Sequence, residues 1–264
     1  MGRLEGKTAL VLGATRAGNM GQAIASRFLE EGARVAVAGR SRPGLDAFAA
    51  ETGAFAQTCD VRSKADIQAL ADKVIAQFGG IDIAVNAAAT GSYGPFEETT
   101  EAVLEEMIAI IFKGSFLFMQ VMVAAMKARG GSLINISSAV ADIMFENHAA
   151  YMGAKAGMNH VTRTVANEYG RYGIRANIVS PGLTVTPMLG EFAMPGMVEA
   201  FAREYPLGRI NTIDDVANAC LFVASDECFM PGETFHVTGG LRLRRNPTAA
   251  EIAASVGAAA GGLT

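Results

Sequence analysis

Cysteine is scarce in this sequence: Cys59, Cys220 and Cys228 are the only three among 264 residues. An odd number without metal-ligand spacing argues against a disulfide framework or a zinc site. Buried free thiols in a reducing cytoplasm are the expectation. Basic blocks are missing too. The formal net charge is −4, and lysine and arginine do not cluster before the C-terminal tail. Neither nucleic acid nor a membrane is therefore expected as a partner, since both call for concentrated positive surface. No signal-peptide pattern is read at the start, where Arg3, Glu5 and Lys7 lead straight into a strand-like run. The longest apolar stretch, from Met107 to Met126, is interrupted by Lys113. A membrane span needs about 20 predominantly apolar residues, so a buried helix fits that stretch better. Finally, no Pro-, Ser- or charge-rich linker divides the middle. Residues 1–241 read as one domain, and 242–264 as an irregular or helical extension outside the core.

What the sequence does contain is a regular alternation. Short apolar runs at Thr8–Leu12, Arg34–Ala38, Ala54–Thr58, Ile81–Val85, Ser132–Ile136, Ile174–Ile178 and Thr234–Val237 each suit a buried strand. Between them, apolar residues fall at helical spacing, as in Ala23, Ile24 and Phe28, or Ile67, Leu70, Val74 and Phe78. Parallel strands need crossover connections, so strand and helix in alternation imply a parallel sheet with helices on both faces. Near-continuous hydrophobic strands agree with a sheet buried on both sides.

The first strand runs into Gly13-Ala-Thr-Arg-Ala-Gly18-Asn-Met-Gly21, followed by a helix pattern. Glycines at such a turn let the backbone approach a pyrophosphate, whose charge the following helix N-terminus favours. Gly13, Thr15, Arg16, Asn19, Met20 and Gly21 are the candidate cofactor contacts here. The fold class that follows is α/β: a single doubly wound Rossmann domain, its seven-stranded sheet mostly or fully parallel and flanked by helices. At the end of the second strand, where an NAD site usually places an acid for the ribose 2′-hydroxyl, stands Gly39-Arg40-Ser41. Arg40, with Arg16 as a second candidate, suits a 2′-phosphate, so NADP(H) is expected in preference to NAD(H). Asp60-Val61 closes the third strand. Asp60 is read either as an acceptor for the adenine amino group or as a cap of the next helix. Asn86-Ala87 closes the fourth strand, where small residues let the chain pass close to a cofactor.

Tyr151 and Lys155 lie four residues apart, on one face of a helix. A nearby cation favours phenolate and lowers a tyrosine pKa towards a range useful for proton transfer. The pair follows Asn135-Ile-Ser137-Ser138, at the end of the fifth strand, and sites in doubly wound sheets form at the carboxyl ends of strands.

Taken together, these pieces resemble the short-chain dehydrogenase/reductase family over about residues 5 to 240. They are the glycine loop, Asp60-Val61, Asn86-Ala87, Ser137-Ser138, Tyr151 with Lys155, Pro181-Gly182, Thr186 and Val237-Thr-Gly239-Gly240. The resemblance implies an oxidoreductase that interconverts an alcohol with a ketone or aldehyde. It implies Tyr151 as the acid/base, Lys155 as the residue holding the nicotinamide ribose and depressing the Tyr pKa, and Ser138 as the residue orienting the substrate oxygen. Pro181, Gly182, Val185 and Thr186 would bind the carboxamide. No metal is implied.

Two features depart from the family. The last glycine of the loop lies two residues late, which is similar to the loop of enoyl-thioester reductases in the same superfamily, although those separate their Tyr and Lys by six residues and this chain keeps three. The second departure is Ile111. It stands three residues before Gly114, where many members carry an Asn that supports a water-linked proton relay. An isoleucine cannot hold water by hydrogen bonding. Either the proton leaves by another path, which is the working hypothesis, or turnover is slow, or activity has been lost. A non-catalytic NADPH sensor is the corresponding alternative.

Specificity in this fold is expected from the loop at about residues 183–206 and from the residues after Ser138. Met144, Phe145, Met188 and Phe192 are the candidate contacts to a hydrophobic small-molecule substrate. Met188, Leu189, Phe192, Met194, Met197 and Phe201 read equally well as a flexible apolar lid and as a Met-rich helix face packed on the core. His148 is read as a contact to the substrate or, in preference, as a surface residue at a helix start. Arg242, Arg244 and Arg245 are read as reaching an anionic group across a subunit boundary or, in preference, as a solvated charge run. The family habit of pairing the long fourth helix between subunits implies a homodimer or homotetramer.

Overall fold

The computed structural model of the chain describes residues 2–189 and 194–261. Seven strands form one sheet: β1 (Thr8–Leu12), β2 (Arg34–Gly39), β3 (Phe55–Thr58), β4 (Ile83–Asn86), β5 (Gly131–Ile136), β6 (Ile174–Pro181) and β7 (Thr234–Val237). Their spatial order is β3-β2-β1-β4-β5-β6-β7, and every pairing is parallel. From β1 the chain winds outward to β3, then returns past β1 to β4 and winds the other way. That reversal leaves a crevice between the carboxyl ends of β1 and β4.

The strand residues divide by parity, as a pleated sheet requires. Leu10, Leu12, Ala36, Ala38, Ala84 and Leu133 pack on one face against α3 (Lys64–Phe78) and α5 (Gly114–Met126). Ala9, Val11, Val35, Val37, Ile83, Val85 and Ile134 pack on the other, against α1 (Met20–Glu30) and α8 (Ile213–Ala224). The expected full burial fails at the sheet edges and at single residues near strand starts, such as Arg34 and Arg175. β3 and β7 are half-buried, because an edge strand has a neighbour on one side only.

Local chemistry sets the helix boundaries. Asn19, Ser63 and Thr212 cap α1, α3 and α8 through side-chain oxygens that accept backbone N–H groups. Before α3 comes α2 (Arg42–Thr52), with a proline in its first turn. The long fourth helix is not uniform. It is built from α4 (Glu101–Met107), a π-helical segment (Ile108–Lys113) and α5. By length and composition Glu101–Met126 could cross a membrane, but over half of its apolar window is buried inside the protein, as in a core helix. The remaining helices are α6 (Ala149–Tyr169), α7 (Met197–Glu204) and α9 (Ala249–Gly261). The C-terminal extension is thus largely helical, and Ile252 and Val256 of α9 pack on a cluster with Met197 and Phe201 of α7.

Candidate active site

The turn after β1 is held shut by backbone contacts. Gly13 has φ 102°, and a Cβ there would stand 2.5 Å from the carbonyl carbon of Ala87. One at Gly21 would stand 2.5 Å from the Gly13 oxygen. Only glycines allow the loop to lie this close to the end of β4 while bringing the start of α1 to the crevice. Asn19 fixes that start from both sides: its Oδ1 accepts the Gln22 N–H at 2.9 Å and its Nδ2 donates to the Gly13 carbonyl at 2.8 Å. Thr15 is half-buried, and its methyl group fills the space a side chain at Gly39 would need. Met20 is half-buried and packs on the α1–α8 side of the core.

Arg16 and Arg40 are both exposed, and neither forms a salt bridge among the described residues. Asp60 is engaged by its neighbour: its carboxylate accepts the Arg62 guanidinium and the Arg62 backbone N–H, and the guanidinium holds its pKa below the usual carboxylate range. The capping reading of Asp60 is corrected, since Ser63 caps α3. Val61 is buried, and its methyl groups lie beside Gly114 at the start of α5. Asn86 is buried at the end of β4, where its Oδ1 accepts the Ala88 N–H at 3.1 Å and its Nδ2 donates to Ser115 Oγ at 2.9 Å.

Ser138, Tyr151 and Lys155 come together beyond the carboxyl end of β5. Ser138 precedes a short 3-10 turn over Ala139–Ala141, and its hydroxyl is hydrogen-bonded to the Tyr151 phenol. Tyr151 and Lys155 share a face of α6, as their spacing requires. Lys155 is buried, donates to the Ile136 carbonyl at 2.6 Å, and has its Nζ 5.6 Å from the Tyr151 ring centroid. The expected lowering of the Tyr151 pKa is not found. Burial pushes the phenol up to about 12, against a smaller lowering from the Ser138 hydrogen bond. Burial likewise pushes Lys155 down to about 7. Desolvation dominates because it penalises the charged form of each group, and the ammonium points to a carbonyl rather than the phenol oxygen.

Ile111 is buried in the π-helical segment, within the cluster that Tyr151 also packs against. Pro181 ends β6, and the chain beyond it is pinned by Tyr205, whose hydroxyl accepts the Leu183 N–H at 2.6 Å. A Cβ at Gly182 would overlap that hydroxyl. Val185 is exposed and Thr186 half-buried just beyond.

On the substrate side the sequence reading needs correction. Met144 is 74% exposed and directs little of its surface inward, while Met188 is half exposed. Phe192 lies outside the described residues. Met197 and Phe201 lie on the buried face of α7, so for those two the core-packing alternative holds. Phe145 does face the site: its ring meets His148 at 5.7 Å and Phe201 at 5.6 Å. His148 is no surface residue. Its ring lies 4.6 Å from that of Tyr151, and burial holds its pKa below the usual value. The three arginines of the tail are not free either. Arg245 pairs with Glu251 at 2.6 Å and Glu204 at 3.4 Å, Arg242 reaches Asp142 at 4.0 Å, and Arg244 donates to the Arg203 carbonyl at 3.0 Å.

Ser115 and Tyr205 escaped the sequence reading, which favoured a surface position for His148. Small or aromatic residues without a local pattern carry no signal until the fold sets Ser115 against Asn86 and Tyr205 beneath Gly182. Cys59, Cys220 and Cys228 are buried free thiols, and burial pushes Cys59 up to about 12.

The residues fit a dinucleotide. The α1 N-terminus offers backbone donors at the β1/β4 crevice, Arg16 and Arg40 follow β1 and β2 without a salt bridge among the described residues, and a tyrosine–lysine pair lies at the neighbouring strand end. Such an arrangement defines an oxidoreductase that uses a nicotinamide cofactor. Comparison with known proteins makes the class narrower. A family model described as enoyl-(acyl carrier protein) reductase matches residues 13–242. A D-threitol dehydrogenase of Mycolicibacterium smegmatis is 37% identical over 252 residues, covering 92% of this chain and 95% of the relative. A 2,5-dichloro-2,5-cyclohexadiene-1,4-diol dehydrogenase of Sphingobium indicum is 34% identical over 249 residues, 91% of this chain and 98% of the relative. A crystal structure from Burkholderia xenovorans, described as a short-chain dehydrogenase/reductase, superposes with a TM-score of 0.85 at 33% identity, covering 93% of this chain and all of that one. This chain belongs to the short-chain dehydrogenase/reductase family. It is an oxidoreductase of that family, whose members use NAD(P)(H).

Proposed function

We propose that the protein is an NADP(H)-dependent oxidoreductase that reduces a ketone or aldehyde of a hydrophobic small molecule and, in reverse, oxidises the corresponding alcohol. The observation that carries this reading is the convergence of Ser138, Tyr151 and Lys155 at the carboxyl end of β5. The cofactor, when bound, supplies or accepts the hydride. Gly13, Thr15, Arg16, Asn19, Met20 and Gly21 would hold its pyrophosphate half, with Arg40 at the 2′-phosphate and Asp60, Val61, Asn86 and Ala87 along the adenosine. Pro181, Gly182, Val185 and Thr186 would flank the nicotinamide.

In reduction, the Tyr151 phenol gives its proton to the carbonyl oxygen as the carbon gains its new C–H bond. In oxidation the phenolate takes the hydroxyl proton. The Ser138 hydroxyl, already bonded to the phenol, can donate to the same substrate oxygen and hold it in line. Lys155 would hold the ribose hydroxyls of the cofactor. The relatives named for dehydrogenation of a sugar alcohol and of a cyclic diol support the alcohol–carbonyl reading. The matched family description and the long glycine loop favour a second reading, reduction of an activated carbon–carbon double bond.

Activity is tested by following nicotinamide absorbance with D-threitol, a cyclohexanediol, hydrophobic ketones and an enone, each with both cofactors. Turnover of an alcohol or ketone, with NADP(H) preferred, is expected. Arg40→Ala should lose about tenfold or more in kcat/KM for NADPH while leaving NADH unchanged, because a charge-assisted contact of this kind is worth about 1.5–3 kcal/mol. Turnover of the enone alone would favour the second reading.

A further inference from the structure

The C-terminal segment reaches back to the loop that precedes Tyr151. Asn246 is buried, and its Nδ2 donates to the Met144 carbonyl at 2.9 Å. The Ala249 N–H, at the start of α9, donates to the Glu146 carboxylate at 2.8 Å. These two bonds bridge 102 and 103 residues of chain and fall on the residues either side of Phe145. Arg245, next to Asn246, ties Glu204 at the end of α7 to Glu251 in the first turn of α9.

Phe145 is therefore gripped from both flanks, and its ring stands at the head of a chain of contacts. It meets Tyr93 at 6.1 Å, Phe201 at 5.6 Å and His148 at 5.7 Å, and His148 in turn meets Tyr151 at 4.6 Å. The other end of the loop is held separately: the Gly94 N–H donates to the Asn147 carbonyl at 2.8 Å and the Asn147 Nδ2 to the Tyr93 hydroxyl at 3.4 Å. Asn147 sits at φ 60°, a left-handed conformation that asparagine tolerates better than most residues. The tail holds the Met144–Glu146 end, to which those bonds do not extend.

We propose that Asn246 is a positioning residue for the substrate side of the site. Together with the Glu146 contact it clamps the Phe145–His148 wall against Tyr151, so that the C-terminal segment belongs to the substrate-binding apparatus although it contributes no reacting group. This rests on Tyr151 being the acid/base, as proposed above. The clamp makes no contact with the glycine loop, so its loss separates substrate binding from cofactor binding.

The test uses the full chain and four variants, Asn246→Ala, Glu146→Ala, Glu146→Gln and Tyr151→Phe. Amide hydrogen exchange is read at residues 143–148 and at residues 8–19, NADPH affinity by its fluorescence, and kcat/KM with D-threitol and cyclohexanone as probes. In Asn246→Ala, exchange at 143–148 should rise about tenfold, as the loss of one buried hydrogen bond implies, with residues 8–19 unchanged. kcat/KM should fall about tenfold or more, mostly in KM, with NADPH affinity within about twofold of the parent. Glu146→Ala should show the same pattern more weakly, and Glu146→Gln, which keeps an acceptor oxygen, should restore it. Unchanged exchange at 143–148, faster exchange spread equally to 8–19, or faster exchange with kcat/KM unaltered would each overturn the proposal. Failure of the parent to turn over either probe, or full activity in Tyr151→Phe, counts against the proposed function instead, and exchange then decides the clamp alone.

Discussion

Tyr151 and Lys155 show how far burial can outweigh a neighbour. Read in sequence, a lysine four residues from a tyrosine suggests a phenol eased towards its anion. In the fold Lys155 is buried and Tyr151 half-buried, and the loss of water pushes each towards its neutral form, the phenol to about 12 and the ammonium to about 7. A phenol that keeps its proton at neutral pH is well placed to give it away, so reduction is the easier direction. Oxidation needs the phenolate, whose population grows tenfold per pH unit below its pKa. The logarithm of the oxidation rate should therefore climb with a slope near one from about pH 7 to about pH 10. A pH–rate profile that levels off near neutrality would show that Tyr151 is not the group being titrated. The folded pKa of Lys155 lies below its usual 10.5. Between about 7 and that value the unfolded chain binds more protons, so this group makes folding more favourable as pH rises across the window. His148 teaches a related lesson: a histidine at a helix start looked peripheral, and only the loop's return onto Tyr151 buried it.

Among the elements, the strands were legible because alternation on a pleat separates two buried faces, and both core clusters follow that parity. The edges β3 and β7 were not, since no pattern within a strand says which strands lie outermost. Glycine spacing after β1 matches the tight turn that lies against the end of β4, and the capping alternative at Asp60 failed because Ser63 competed for the same helix end. The π-helical segment Ile108–Lys113 was invisible as well. Apolar residues surround that stretch on every side, so its sequence has no period to betray a widened turn. Ile111 lies within it, buried among Met107, Ile110 and Ala154. An asparagine there would place an amide in an apolar cluster at a cost of about 1–3 kcal/mol unless it finds a partner. Ile111→Asn should thus lower the melting temperature by several degrees without raising turnover manyfold. A manyfold gain in kcat would mean that the isoleucine slows the enzyme and that the proton has no other path.

At the scale of the whole molecule, the doubly wound topology could be inferred from element order alone, while the tail could not. Its arginines looked like a solvated run, and their carboxylate partners at Glu204, Glu251 and Asp142 are distant in sequence or lack helical spacing until the chain folds back. The long fourth helix leaves Leu104, Ile108 and Phe116 exposed by nearly half. An apolar stripe of this kind on an otherwise buried helix supports pairing between subunits. Sedimentation at micromolar concentration should give a dimer or tetramer of the 27.5 kDa chain, and a monomer would remove the basis for that assembly.

The central claim is that Tyr151 carries the proton in an NADPH-linked alcohol–carbonyl reaction. The most direct measurement is kcat of Tyr151→Phe beside the parent, on the best alcohol or ketone found and with NADPH binding followed in parallel. A loss of about 10²–10⁴-fold in kcat with cofactor affinity retained is the predicted result. A variant that turns over at the parental rate would contradict it.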